Sequence, residues 1–181
     1  MKRFVVPILA LACLAPSRAA AQRPVSLSLA GGAAVPIGGL RDDANLGWHG
    51  LAAIALGSFM QPLGLRLDAA YNHFASTDET RAVSGVEALD VSSATLNFTY
   101  RLPMTNSPAS PYLIAGAGAY RSECDGPAGC GEATTRYGWN AGLGFKFATP
   151  GLRTFVEARF HRTERGERKV QFFPVTIGVT F

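Results

Sequence analysis

What most constrains this chain is an apolar side chain at every second position, repeated from one segment to the next. Between Leu63 and Asn72, Leu63, Leu65, Leu67, Ala69 and Tyr71 share one parity, while Gly64, Arg66, Asp68, Ala70 and Asn72 share the other. Successive strand side chains point to opposite faces, so such a segment is a β-strand with one greasy and one polar side. The pattern returns as Ala94, Leu96, Phe98, Tyr100 and Leu102 against Thr95, Asn97, Thr99 and Arg101. It returns again as Tyr137, Trp139, Ala141, Leu143, Phe145 and Phe147 against Arg136, Gly138, Asn140, Gly142, Gly144 and Lys146. A further copy ends the sequence: Phe173, Val175, Ile177, Val179 and Phe181 against Pro174, Thr176, Gly178 and Thr180. Weaker copies run through 25–34, 48–57, 112–121 and 154–162. In the 112–121 segment alanine and glycine blur the facing, and Arg121 and Glu123 are assigned inward, Tyr112, Ile114 and Tyr120 outward.

Eight strands alternate with two kinds of connection. Short turns are expected near 58–62, 103–110 and 149–152, rich in Pro, Gly, Asn and Ser. Longer, more charged loops are expected near 39–47, 75–88, 124–135 and 163–169. Short turns at one end and polar loops at the other are the layout of a membrane barrel. A soluble sandwich or lipocalin-type barrel would put its apolar face inward. Here the apolar face is large and rimmed by Tyr71, Tyr100, Tyr137, Trp139 and Phe181, whereas the other combines glycine with Arg66, Asp68, Arg101, Lys146, Glu157 and Arg159. A narrow barrel has room for glycine and paired charge, and aromatic girdles belong at lipid interfaces. The expected fold is an all-β, eight-stranded antiparallel up-and-down transmembrane β-barrel.

The first residues read as an address. Lys2 and Arg3 precede an apolar run to Ala15, followed by Ala19-Ala20-Ala21, the signature of a secretory signal peptide cleaved after Ala21. The expected division is therefore a signal peptide over 1–21 and a barrel domain over 22–181. A lipoprotein reading of Cys13 is weakened by Ala10, where leucine is usual. The full chain carries 17 Lys+Arg and 13 Asp+Glu; losing Lys2, Arg3 and Arg18 leaves 14 basic residues and a balance of +1. No basic cluster remains to track phosphates, so nucleic acid is not an expected partner.

The ending from Phe173 to Phe181 resembles the carboxy-terminal strand of bacterial outer-membrane barrels. The segments Glu157-Ala-Arg-Phe-His161 and Gly31-Gly-Ala-Ala-Val-Pro-Ile-Gly38 are similar to the OmpA-like and OmpX-like eight-stranded barrel family. The glycine usual five residues before the terminal aromatic is replaced by Thr176, with Gly178 nearby. The resemblance implies a place in the outer membrane, lipopolysaccharide and phospholipid as surroundings, and a final strand read by the barrel-assembly machinery. Phe173, Val175, Ile177, Val179 and Phe181 would carry that assembly signal. Both termini would be periplasmic, with four external loops able to meet a surface ligand.

Few residues suggest chemistry. Cys124 and Cys130 bracket Asp-Gly-Pro-Ala-Gly, and in an exported chain the default is a disulfide. With no histidine beside them they make a poor metal site; neither a metal nor a cofactor is expected. The inward charges Arg66, Asp68, Arg101, Arg121, Lys146, Glu157, Arg159 and His161 are expected to form a packed polar network, because unpaired charge in a narrow lumen is costly. The alternative is a small solute- or ion-conducting path. His161 and Thr163 with Glu157 are similar to the catalytic residues of PagL-type lipid A deacylases, a hydrolase reading that requires His161 to face lipid. His49 and His73 are expected at the membrane interface. Asp42, Asp43 and Asn45 could hold a hard cation or simply solvate a turn. A structural or surface-interaction role without catalysis is the expectation.

Overall fold

The computed structural model describes residues 25–56, 62–104, 109–126, 132–149, 152–165 and 168–181. The expected signal peptide and Cys130 lie outside them. Eight strands follow in chain order: β1 (Val25–Ile37), β2 (Gly47–Leu56), β3 (Leu63–Ala75), β4 (Ala88–Arg101), β5 (Ala109–Asp125), β6 (Thr134–Thr149), β7 (Leu152–Arg165) and β8 (Arg168–Thr180). Each pairs antiparallel with its sequence neighbour, and β8 returns to β1, closing a barrel in up-and-down order. Closure removes the free edges that an open sheet would present. The last residue takes part in the seam: Phe181 N donates to Leu27 O at 2.8 Å and accepts at its own carbonyl from Leu27 N at 3.3 Å.

The facing follows the alternation. Leu67, Leu96, Trp139, Leu143 and Ile177 stand exposed on the outer wall, with Phe98 and Ile177 each 65% exposed. Arg66, Asp68, Asn97, Asn140, Glu157 and Arg159 are buried in the lumen. A wall this apolar has no counterpart on a water-soluble monomer, where exposed apolar patches are small. It is the lipid-facing band of a transmembrane barrel.

Strand β5 departs from the expected facing. Tyr112, Ile114 and Tyr120 are buried inside, whereas Arg121 and Glu123 are exposed on the outer wall, where they form an ion pair with each other. Glycine on the neighbouring strand explains the reversal. A Cβ on Gly144 would stand 2.5 Å from the Tyr112 hydroxyl, and one on Gly138 2.7 Å from the Tyr120 ring. The glycines of β6 are thus the seats of two tyrosine rings, and the tyrosines take the interior parity.

The loop end also differs from expectation. The segment expected as a long loop at 163–169 is mostly ladder, with Thr163 opposite Val170 and Arg165 opposite Arg168. Paired backbone needs no apolar face once the strand has left lipid, so charged residues there do not end it. The 75–88 connection holds α2 (Asp78–Ser84), started by Thr77, whose side chain accepts from Thr80 N, and stopped by Gly85 at φ 67°. Hydroxyl caps and left-handed glycines are the usual helix ends. The first loop holds α1 (Leu40–Asp43), and its Leu40 is buried against the lumen contents.

Candidate functional site

The strand parity turns two alternating segments toward each other across the lumen. Arg66 and Asp68 come from β3, Glu157 and Arg159 from β7. Arg66 donates from Nε and Nη2 to the two Asp68 oxygens at 2.8 and 2.9 Å, and from Nη1 and Nη2 to the two Glu157 oxygens at 2.9 and 2.8 Å. Arg159 reaches Asp68 Oδ2 through Nη1 and Glu157 Oε1 through Nε, both at 2.8 Å. Tyr112 completes the shell by donating to Glu157 Oε2 at 2.5 Å. Two guanidinium and two carboxylate groups sum to zero charge, which is what a site withdrawn from water requires. Asn140 extends the network, donating to Asn97 Oδ1 at 2.9 Å and accepting from Arg159 at 3.4 Å.

Toward the loops the lumen contents become apolar. Phe74 and Phe172 meet edge to face at 5.6 Å, and His161 stacks on Phe172 at 4.9 Å with Tyr120 against its edge at 5.9 Å. Ala34, Val91, Leu89, Val170 and Leu40 close the cluster. Above this cap a cavity of about 1030 Å³ opens between the two short helices, with Leu40, Leu89 and Val170 in its floor and Asp42, Asp43 and Glu79 in its walls.

The other expected site residues fall as follows. Lys146 is half-buried, its ammonium 5.1 Å from the Tyr112 ring centre, and Arg101 is half-buried near the short-turn end. His161 and Thr163 are buried in the lumen, with His161 Nδ1 3.0 Å from the Tyr120 hydroxyl and Thr163 donating to Tyr137 O at 3.4 Å. The Glu157 oxygens are held by Arg66, Arg159 and Tyr112. The three residues of the hydrolase reading are therefore not joined into a relay, and His161 does not face lipid.

His49 is not an interface residue: it is buried in the lumen and its Nδ1 lies 2.8 Å from Asn72 Oδ1. His73 does lie on the outer wall, 2.7 Å from Asp90 and stacked on Trp48. Asn45 donates to Ser76 O and Thr80 to Asp43 Oδ1, so these loop residues tie the two helices together. Among the described residues no group of three or more His, Cys, Asp or Glu could hold a metal ion. Cys124 is disulfide-bonded, and its expected partner Cys130 is outside the described residues. Phe173, Val175, Ile177 and Val179 share the outer face of β8.

Tyr112, Tyr120 and His49 are inside without having been expected there, whereas Asn72 and Asn140, on the polar faces expected inward, join the network without having been named in it. A signal for the two tyrosines is present in the sequence: Tyr112 and Tyr120 share parity with Gly116 and Gly118, the residue type that marks the interior elsewhere in the chain.

The sequence matches no protein-family model and no curated protein. Its fold has relatives. The chain is similar to Neisserial surface protein A (NspA), with a TM-score of 0.63 and 18% identity over 88% of this chain and 97% of that one. It is also similar to a major outer membrane protein from Thermus thermophilus, with a TM-score of 0.53 and 11% identity over 87% and 98% of the two chains. Together with the closed up-and-down sheet, the apolar outer wall and the ion-paired lumen, these likenesses show that the chain has the eight-stranded barrel fold of bacterial outer-membrane proteins.

Proposed function

We propose that the protein is a sealed barrel of the bacterial outer membrane, exported by its amino-terminal signal peptide, with a structural or surface-interaction role and no catalytic step. The observation carrying this reading is the filled lumen: a neutral ion cluster at mid-height and an aromatic cap above it. Eight strands leave an interior about wide enough for side chains, and here both polar and apolar side chains occupy it. Lipopolysaccharide and phospholipid surround the wall, the barrel-assembly machinery reads β8, and the loop end with its cavity is the part offered to a surface ligand. Fold alone does not assign function, so the reading stands on the contents of the lumen and on the apolar wall.

Three measurements test it. After sucrose-gradient separation the protein is expected in the outer-membrane fraction; recovery elsewhere overturns the location. In planar bilayers the refolded protein is expected to give no stable, well-resolved channels. Reproducible unitary conductance would replace the sealed barrel with the ion-conducting reading. Lipid A is expected to be unchanged by mass spectrometry on overexpression.

A further inference from the structure

The cavity at the loop end combines two kinds of surface. One is apolar: Leu40, Leu89 and Val170 form the floor, and Val83 of α2 joins the lining while 85% exposed. Helices in proteins draw most of their stability from packing an apolar face, yet α2 buries none of its seven residues. It is held instead by the Thr77 cap, by Gly85 at its end and by Arg81, whose guanidinium donates to Ser76 O at 3.2 Å and to Asp78 at 3.0 Å. Its one large apolar side chain, Val83, is left facing the cavity.

The other surface is acidic. Asp42 and Asp43 of α1 and Glu79 of α2 line the walls, against the single ammonium of Lys169 among the described lining residues. Asp43 accepts from the Thr80 hydroxyl at 3.5 Å, and Arg81, the cation of α2, is taken by Asp78. The carboxylates of Asp42 and Glu79 are exposed and have no hydrogen-bond or ion-pair partner among the described residues. Uncompensated negative charge thus adjoins uncovered apolar surface.

Resting on the reading of the loop end as the surface-interaction end, we propose that this cavity docks a basic segment of a partner protein, a lysine or arginine flanked by aliphatic residues. Lysine and arginine carry an apolar stem beneath a charged head. One such side chain meets the floor with its stem and the carboxylates of Asp42 and Glu79 with its head. The flanking aliphatic residues cover Val83 and Leu89, giving α2 the apolar contact it lacks. The cavity volume of about 1030 Å³ stands at the top of the range for small-molecule pockets, about 300–1,000 Å³, and so suits several side chains better than one small ion.

The test uses the refolded protein in zwitterionic nanodiscs, with valine methyl groups labelled for NMR. The probes are three capped tripeptides: leucine–lysine–leucine, the same peptide with its lysine acetylated, and glycine–lysine–glycine. The first is expected to shift the Val83 methyl signals saturably, and the other two to bind at least several-fold more weakly. In the double variant Asp42→Asn, Glu79→Gln its affinity is expected to fall about fivefold, the size that two exposed ion pairs supply, with the acetylated peptide unaffected. Equal binding of the acetylated peptide would mean a site for apolar ligands alone, and equal binding of the glycine peptide an acidic surface alone; either overturns the proposal. So does the absence of a saturable shift at Val83. Both substitutions are at exposed positions, and heat-modifiable migration checks that the variant folds; should it not, the three peptides decide on the parent protein. Failure to bind, by a protein that fractionates with the outer membrane and forms no channels, removes the docking site and leaves the sealed barrel standing.

Discussion

The two layers of the lumen are filled by opposite means. The mid-level layer is ionic: Arg66, Asp68, Glu157 and Arg159 hold one another with contacts of 2.8–2.9 Å and leave little else for each to do. The loop-end layer is a small hydrophobic core of Phe74, Phe172, Tyr120, Val91 and Val170. The first is all-or-none, because removing one member leaves its partners charged and dry. The second is graded, because each ring contributes by its volume and contacts. A barrel whose outer wall faces lipid gains little from that wall's apolarity once it is in the membrane. Its interior must then supply much of the specificity.

The largest expected effect breaks the ionic layer. Glu157→Ala strands Arg66 and Arg159 with one carboxylate between them, and removing one partner of a buried pair costs about 3–5 kcal/mol. Urea unfolding in detergent, followed by heat-modifiable gel migration, should show the loss. An unchanged midpoint would mean that water already reaches the layer. Next comes the aromatic layer, where Phe172→Ala should cost about 3 kcal/mol, at the low end for a buried phenylalanine, and weaken the His161 stacking. Smaller is Gly144→Ala, whose added methyl meets the Tyr112 hydroxyl at 2.5 Å; overpacking of this kind costs roughly 1–3 kcal/mol. Gly50→Ala, with nothing within 4 Å of its new Cβ, is the control and should fall within about 0.5 kcal/mol of the parent. A last replacement, also expected to have little effect, sharpens the contrast. Replacing all four ionic residues together by apolar ones of similar volume should be close to neutral, within about 1 kcal/mol, since such exchanges are often neutral or stabilising. A large loss there, measured by the same unfolding assay, would show that the charges do more than cancel.

Much of this is legible in the sequence. Where one parity holds Leu, Phe and Tyr and the other Arg, Asp and Asn, as in β3 and β4, the facing is plain because lipid and a narrow lumen select different side chains. Strand β5 misleads because its parities differ weakly, with Ala115, Ala117 and Ala119 against Gly116 and Gly118. Its facing is set by the glycines of β6, which accommodate tyrosine rings and are neighbours only in the folded sheet. Arg121 and Glu123 read as inward if charge marks the interior, but above the lipid band an ion pair can face outward. His49 escapes for a similar reason: its partner Asn72 is its register neighbour on β3, a relation that no single strand displays. The loops near 163–169 and 124–135 are shorter than their polarity suggests, because polarity marks distance from lipid rather than the end of a strand.

The ion cluster also bears on the order in which the barrel is made. Its cross-lumen contacts join residues 91 positions apart, and such long closures form slowly. Until then each strand carries its own balanced pair: Arg66 with Asp68 on β3, Arg159 with Glu157 on β7, each at 2.8 Å. Neither half needs the other in order to enter the membrane with no net charge from these residues. Their meeting comes late, as the wall curls shut and each guanidinium exchanges water for the opposite strand's carboxylate.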